Sequence, residues 1–141
     1  RGQDFITMKV INGALDIKEG KTKSLKLGNL DVQRDWGDAR DYVIAAHLIL
    51  QQDRPVDYHI CSGLLHSVRE IVDFIFLQFG MNYTDYVTCD NELVRSNERK
   101  AVLGSNLKIR NELGWSASIN FEKMLLECVE SETKRRKLSS L

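Results

Sequence analysis

Pro55 is the only proline among 141 residues, and no repeat or low-complexity stretch accompanies it. Proline-rich and repetitive architectures are therefore excluded. Charge of one sign is missing too: 20 basic residues balance 20 acidic ones. A general nucleic-acid surface needs a basic excess, so no nucleic-acid partner is expected. No apolar run approaches the roughly 18 residues of a membrane span, and no signal peptide opens the chain. A soluble, cytoplasmic chain with no membrane partner is the expectation. The cysteines are three, Cys61, Cys89 and Cys128, far apart and without a CxxC pair. Neither a zinc site nor a disulfide framework follows, and each is expected as a small buried hydrophobe. His47, His59 and His66 show no ligand spacing, so no metal site is expected.

Hydrophobic residues make up 43% and charged residues 28% of the chain. That balance suits one globular domain able to bury a core. Ile6, Val10, Ala14 and Ile17 fall at helical spacing, and Gly20 stops the run. Lys23 to Leu27 alternates as a short strand does. Asp38 is placed to cap a helix from Ala39 to about Gln52. That helix is apolar on most sides, so it is expected to lie sandwiched in a larger body. Tyr58 to Cys61 reads as a strand ending at Ser62-Gly63. The clearest helix runs from Ser67 to Phe79, with Ser67 as N-cap, Glu70 at the capping-box position and Gly80 as stop. Tyr86 to Thr88 reads as a small strand, and Asn106 to Leu113 as a short helix ended by Gly114. Phe121, Met124, Leu125, Cys128 and Val129 begin a final amphipathic helix, and residues 131–141 form a basic tail, read as helix-end cations on a solvated terminus. Helices alternating with short strands indicate an α/β or α+β arrangement. The strands are too few for a self-contained doubly wound sheet, which points to the C-terminal portion of a larger α/β protein.

Enzymatic signatures are absent. There is no GxGxxG turn or P-loop, and no Ser/His/Asp arrangement. The SxxK spellings at Ser105–Lys108 and Ser131–Lys134 lack the motifs that would accompany them. Two arginine-centred segments remain. In Arg34-Asp35-Trp36-Gly37 an arginine ends a strand just before a helix. Its fork of donors suits a phosphate; a structural Arg–Asp pair with Trp36 in the core fits the spacing equally. In Arg95-Ser96-Asn97-Glu98 a cation and an anion lie three apart. They suit a pyrophosphate and a sugar hydroxyl, or simply a solvated loop.

Those segments carry a resemblance. Leu27-Gly28-Asn29-Leu30-Asp31, Arg34-Asp35-Trp36-Gly37, Asp41-Tyr42-Val43 and Leu50-Gln51-Gln52-Asp53 closely resemble the GDP-mannose 4,6-dehydratases, which are extended short-chain dehydrogenase/reductases. Ser62-Gly63, His66-Ser67-Val68-Arg69-Glu70 and Leu113-Gly114-Trp115 continue the likeness, as do Arg1-Gly2, Phe5-Ile6-Thr7 and Lys9 at the start. The likeness reaches to about residue 130.

The resemblance implies an α/β fold: the C-terminal substrate-binding lobe, with the last strands and helices, of an NAD(P)-binding Rossmann-type enzyme. All of 1–141 would belong to that portion, with the N-terminal Rossmann domain outside it. The family takes GDP-mannose and tightly held NADP, oxidises C4, eliminates water across C5–C6 and returns the hydride to C6. The product, GDP-4-dehydro-6-deoxymannose, leads to GDP-fucose and related deoxysugars. No tyrosine here has a lysine four residues later, so the family's catalytic Tyr-x-x-x-Lys, with its other catalytic residues, falls outside the chain. By match of motif, Arg1 would touch NADP near the subunit interface of a homodimer or homotetramer. Lys9 corresponds to the basic end of the nucleotide-binding helix, Arg34 to the RDWG arginine on the substrate side, and Arg95 and Glu98 to a pair that contacts phosphate and ribose. Met8, where arginine is common, Ser96 in place of proline, and Gly104-Ser105-Asn106 depart from the family pattern and bear on affinity and sugar preference. A related GDP-sugar reductase or epimerase is the alternative within the class. Outside it stands a truncated, non-catalytic chain that binds a nucleotide-sugar or a partner.

Overall fold

A computed structural model describes residues 5–94 and 99–139. In chain order the elements are α1 (Ile6–Lys18), β1 (Leu25–Leu27), β2 (Gln33–Asp35), α2 (Ala39–Leu50), β3 (Leu65–Ser67), α3 (Val68–Gln78), β4 (Val87–Cys89), β5 (Ala101–Val102), α4 (Leu107–Leu113) and α5 (Phe121–Ser139), with 3-10 turns at Tyr83–Asp85 and Asn91–Leu93. The chain divides into two compact units. One holds 1–32, 67–100 and 125–141, and the other 33–66 and 101–124.

The first unit is built on α1 against α3. Val10, Ile11 and Ala14 on one helix and Ile71, Val72, Ile75 and Phe76 on the other are completely buried. These are the positions that the 3.6-residue period places on one face of each helix. Ser67 caps α3, accepting from the Glu70 amide while the Glu70 carboxylate accepts from the Ser67 amide. This is the capping box expected from the spacing. Gly20 and Gly80 follow their helices at positive φ. β1 and β4 pair in parallel, Leu25 opposite Val87 and Leu27 opposite Cys89. A two-stranded sheet leaves much of β4 open, so Cys89 is exposed, contrary to expectation; Cys61 is buried and Cys128 half-buried.

The basic tail differs from a solvated end. α5 continues through it to Ser139. Glu132 is only 5% exposed. Arg135 grips the Glu132 carboxylate through Nε and Nη2, at 2.8 and 2.6 Å. Arg136 crosses to α1, donating to Asp16 Oδ1 at 2.7 Å and Asn12 Oδ1 at 2.8 Å. Net composition cannot distinguish Arg136 from a solvated cation, because the α1 acids it meets, Asp16 and Glu19, are 120 and 117 residues away in sequence.

The second unit has a three-stranded sheet in the order β3-β2-β5. β2 and β5 run parallel, Gln33 opposite Ala101 and Arg34 opposite Val102. Its core is Ala45, Ile109 and Trp115, with Tyr42, Leu48, Ile49, Ile60 and Leu113 around them. Asp38 caps α2 as expected, accepting from the Arg40 amide. Among the described residues α2 is covered on one side only, and Val43, Ile44 and Leu50 are exposed. The strand expected at Tyr58–Cys61 does not form, and strand pairing begins instead at Leu65. The Asn106 side-chain amide takes the place of a neighbouring strand, donating to the Cys61 and Ser62 carbonyls at 3.2 and 3.0 Å.

One buried acid joins the parts of this unit. Asp41, 2% exposed, accepts from the Ser118 amide (2.9 Å), the Ser118 hydroxyl (2.7 Å) and the Ile119 amide (2.9 Å). Its own carbonyl accepts from Trp115 Nε1 at 3.1 Å. Burial pushes the Asp41 carboxyl up, but the donors from Ile119 and Ser118 outweigh it and hold the group below its ordinary 3.8.

Two predictions follow from these contacts. Arg136→Ala should lower stability by about 2 kcal/mol in urea unfolding, because it strips a partner from partly buried acids and from Asn12. Asp41 is depressed in the folded state, so its contribution is fully present above pH 3.8 and is lost as the pH falls through the lower folded value. Asp41→Asn should therefore flatten the acid limb of the stability–pH curve and cost about 1–3 kcal/mol at neutral pH. An unchanged acid limb would rule out Asp41 as its source.

Candidate functional site

Among the expected site positions that are described, Arg34 lies beside a connected set of polar contacts. Arg34 lies on β2, half-buried, and its Nη1 donates to the Gln33 carbonyl at 2.7 Å. The neighbouring Asp35 carboxylate accepts from the Ser62 amide at 2.9 Å and the Gly63 amide at 2.7 Å. Gly63 has φ +83°, a conformation that costs an L-residue energy and glycine little. Asn106 closes the same turn from the other side through the Cys61 and Ser62 carbonyls. The Arg–Asp dipeptide therefore combines two functions: Asp35 holds a turn, and Arg34 places a cation beside it in the chain.

Trp36 is half-buried rather than part of the core, with Nε1 donating to the His66 carbonyl at 3.2 Å. The His66 ring stacks on Phe121, centroids 3.8 Å apart and planes 1° from parallel. At Gly37 a Cβ would meet the Tyr42 ring end and hydroxyl, so that side chain would have to shift. The RDWG string is thus explained residue by residue: donor fork, turn anchor, indole hydrogen bond and close approach.

The Ser62 and Gly63 amides already serve Asp35, so they form no oxyanion hole. Burial, and then the negative charge of Asp35, push the Cys61 thiol up, which makes it a poor nucleophile. No group of three potential metal ligands exists among the described residues. No helix among them is long and apolar enough to cross a membrane.

The other expected site residues are not brought to Arg34 by anything described. Lys9 is half-buried on α1, in the other unit. Arg1, Arg95 and Glu98 lie outside the described residues. Sequence reasoning assigned no role to Asp41 or Asn106. Asp41 stands in the DYV string, but its donors are 77 and 78 residues away. Asn106 holds carbonyls 44 and 45 residues away. Local pattern contains no signal for either.

Comparison with known proteins decides the family. The family profile described as GDP-mannose 4,6 dehydratase matches residues 1–128. This chain belongs to the GDP-mannose 4,6-dehydratase family. It is 38% identical over 137 residues to GDP-mannose 4,6 dehydratase 2 of Arabidopsis thaliana, covering 97% of this chain and 37% of that one. It is 33% identical over 151 residues to the human GDP-mannose 4,6 dehydratase, covering 95% and 41%. The chain thus spans about two fifths of the length of these dehydratase relatives. The fold is that of a portion of the extended short-chain dehydrogenase/reductase sugar enzymes. RMD from Pseudomonas aeruginosa, solved with NADPH, superposes with a TM-score of 0.80 at 23% identity, over 94% of this chain and 44% of that one. The dTDP-glucose 4,6-dehydratase of Bacillus anthracis, solved with NAD, gives 0.81 at 23% identity, over 97% and 41%.

Asp35→Ala should free the Ser62 and Gly63 amides, speed their hydrogen exchange at least tenfold and cost about 1–2 kcal/mol. Unchanged exchange at both amides would show that the turn is held without Asp35.

Proposed function

We propose that these residues form the nucleotide-sugar-binding lobe of a GDP-mannose 4,6-dehydratase, an NADP-dependent lyase that converts GDP-mannose to GDP-4-dehydro-6-deoxymannose. The observation that carries this reading is the family match across residues 1–128. The half-buried Arg34 beside the Asp35-anchored turn supplies the local geometry. In this reading Arg34 meets substrate charge, Lys9 lies at the nucleotide end, and Arg95 and Glu98 engage phosphate and ribose. A guanidinium with fixed neighbours suits a diphosphate, and a carboxylate suits ribose hydroxyl donors. Arg1 is assigned to NADP by its motif alone.

The sequence contains no GxGxxG turn of the kind that cradles a dinucleotide pyrophosphate. Gly20, Gly80 and Gly114 close helices at their C-terminal ends, and Gly63 serves the Asp35 turn. None opens a helix toward a pyrophosphate. In this reading hydride transfer and proton transfer fall to residues beyond this chain, and this lobe contributes positioning and charge neutralisation. A cytoplasmic homodimer or homotetramer is the assembly that belongs with this reading. A non-catalytic role is the second reading, and the two-fifths coverage of the relatives favours considering it.

The test is a chimera in which these 141 residues replace the matching segment of the Arabidopsis dehydratase. It should consume GDP-mannose and yield the 4-dehydro-6-deoxy product. Arg34→Ala should raise KM about tenfold or more with a smaller change in kcat, the signature of lost uniform binding. A folded, NADP-loaded chimera that leaves GDP-mannose untouched refutes the reading; a pure kcat loss in Arg34→Ala refutes the assigned role.

A further inference from the structure

Asn106 stands at the N-cap of α4 and does not cap it: its side chain makes no hydrogen bond to the start of the helix. Asparagine is among the best capping residues, and a helix that goes without its cap loses stability. α4 has only seven residues, so it has little stability of its own to give up. The side-chain amide is used elsewhere. Its Nδ2 donates to the Cys61 carbonyl at 3.2 Å and to the Ser62 carbonyl at 3.0 Å.

The same turn is held by Asp35, whose carboxylate accepts from the Ser62 and Gly63 amides. Two side chains thus hold four main-chain groups. The division of labour follows from their chemistry: an ionised carboxylate can only accept, so the carbonyls need a side chain that donates. Glycine lets the segments come close. A Cβ on Gly63, where φ is +83°, would lie 3.2 Å from Asn106 Nδ2, and a Cβ on Gly104 would lie 2.9 Å from Cys61 Sγ.

The path leads to Arg34. Asp35 ends β2 and Arg34 precedes it. Arg34 stands opposite Val102 of β5, and Asn106 follows Val102 by four residues. The turn is therefore tied to β2 through Asp35 and to the chain leaving β5 through Asn106. A guanidinium held in place before its ligand arrives spends less binding energy on ordering than a loose one. Position 106 is also one at which this chain departs from the family pattern, so the clamp cannot be read from the resemblance.

We propose that Asn106 is a positioning residue for nucleotide binding. By clamping the Ser62-Gly63 turn against Asp35, it fixes the end of β2 so that Arg34 meets the diphosphate of the sugar nucleotide in a preset orientation. The proposal rests on the reading of this chain as the nucleotide-sugar-binding lobe. It goes beyond that reading in assigning ligand affinity to a residue that acts only through others.

The experiment uses the 141-residue chain and the NADP-loaded chimera. Asn106→Ser and Asn106→Asp both keep a residue able to cap α4, and neither can donate to two carbonyls. In the chain, each variant should keep its circular dichroism spectrum while the Ser62 and Gly63 amides exchange severalfold faster, because the turn opens more often. In the chimera, each should weaken GDP binding in calorimetry and raise KM for GDP-mannose by about three- to tenfold, with a smaller change in kcat. A double-mutant cycle with Arg34→Ala separates positioning from a structural role. If Asn106 acts through Arg34, Asn106→Ser weakens GDP binding far less in the Arg34→Ala chimera than in the unmodified one. A structural role alone gives the same factor in both backgrounds.

Equal factors, unchanged exchange at both amides, or loss of folding in both variants would each overturn the proposal. A chimera that binds GDP with the expected coupling but leaves GDP-mannose untouched would refute the proposed activity and leave the positioning role standing. One that consumes GDP-mannose with equal factors in both backgrounds would do the reverse. A chimera that binds no GDP overturns both.

Discussion

The second unit depends on a buried carboxylate. Asp41 sits in the first turn of α2, where a helix tolerates negative charge well. Instead of capping its own helix, it reaches the amides of Ser118 and Ile119 and the Ser118 hydroxyl. Its carbonyl holds the Trp115 indole, and the indole ring lies tilted against Tyr42 at 6.3 Å. Every donor is close and the carboxylate is nearly sealed from water, so removal of any one leaves a polar group without compensation. With Asp41 placed, α2 can face the Ala45–Ile109–Trp115 cluster in only one way. The same orientation turns Val43, Ile44 and Leu50 outward.

The polar assembly around Arg34 follows the same principle on a smaller scale. A carboxylate, Asp35, orders the turn at Ser62-Gly63, and an amide, Asn106, fixes that turn from a second direction. The result is a rigid frame beside a cationic side chain, with no nucleophile paired to a base in it. This arrangement is compatible with the proposed role, in which a charged sugar nucleotide is held here while chemistry proceeds on groups supplied elsewhere.

In the first unit, ionic contacts replace what looked like a solvated tail. Arg135 and Arg136 both address Glu132, and Arg136 also reaches α1. The Glu132 carboxylate is held below its ordinary range, chiefly by the hydrogen bond from Arg135, although burial opposes this. Arg136 is the more consequential of the two arginines. Its side chain is 19% exposed, against 60% for Arg135, and solvent screens the latter more strongly.

The local elements were legible from the sequence. Helix bounds, the Asp38 cap, the Ser67–Glu70 capping box and the glycine stops all depend on residues within four positions of one another, and composition plus spacing determines them. Family membership was legible too, because the LGNLD, RDWG and DYV strings are contiguous. What only the tertiary structure decided is non-local. The segment at Tyr58–Cys61 looked like a strand, but pairing depends on a neighbour, and at its end the Asn106 side chain meets the Cys61 carbonyl instead. Asp41, Asp35 and Arg136 look like ordinary polar residues until chain segments 27 to 124 residues away arrive beside them. The apolar excess of α2, and its need for more cover than this chain supplies, were readable; which of its side chains stay exposed was not. The sequence alone therefore determined which residues would be helical and which family they belong to, since those are short-range properties. Tertiary structure decided which charges are buried and which apolar side chains remain exposed, because burial is a property of what packs against a residue and not of its neighbours in the chain.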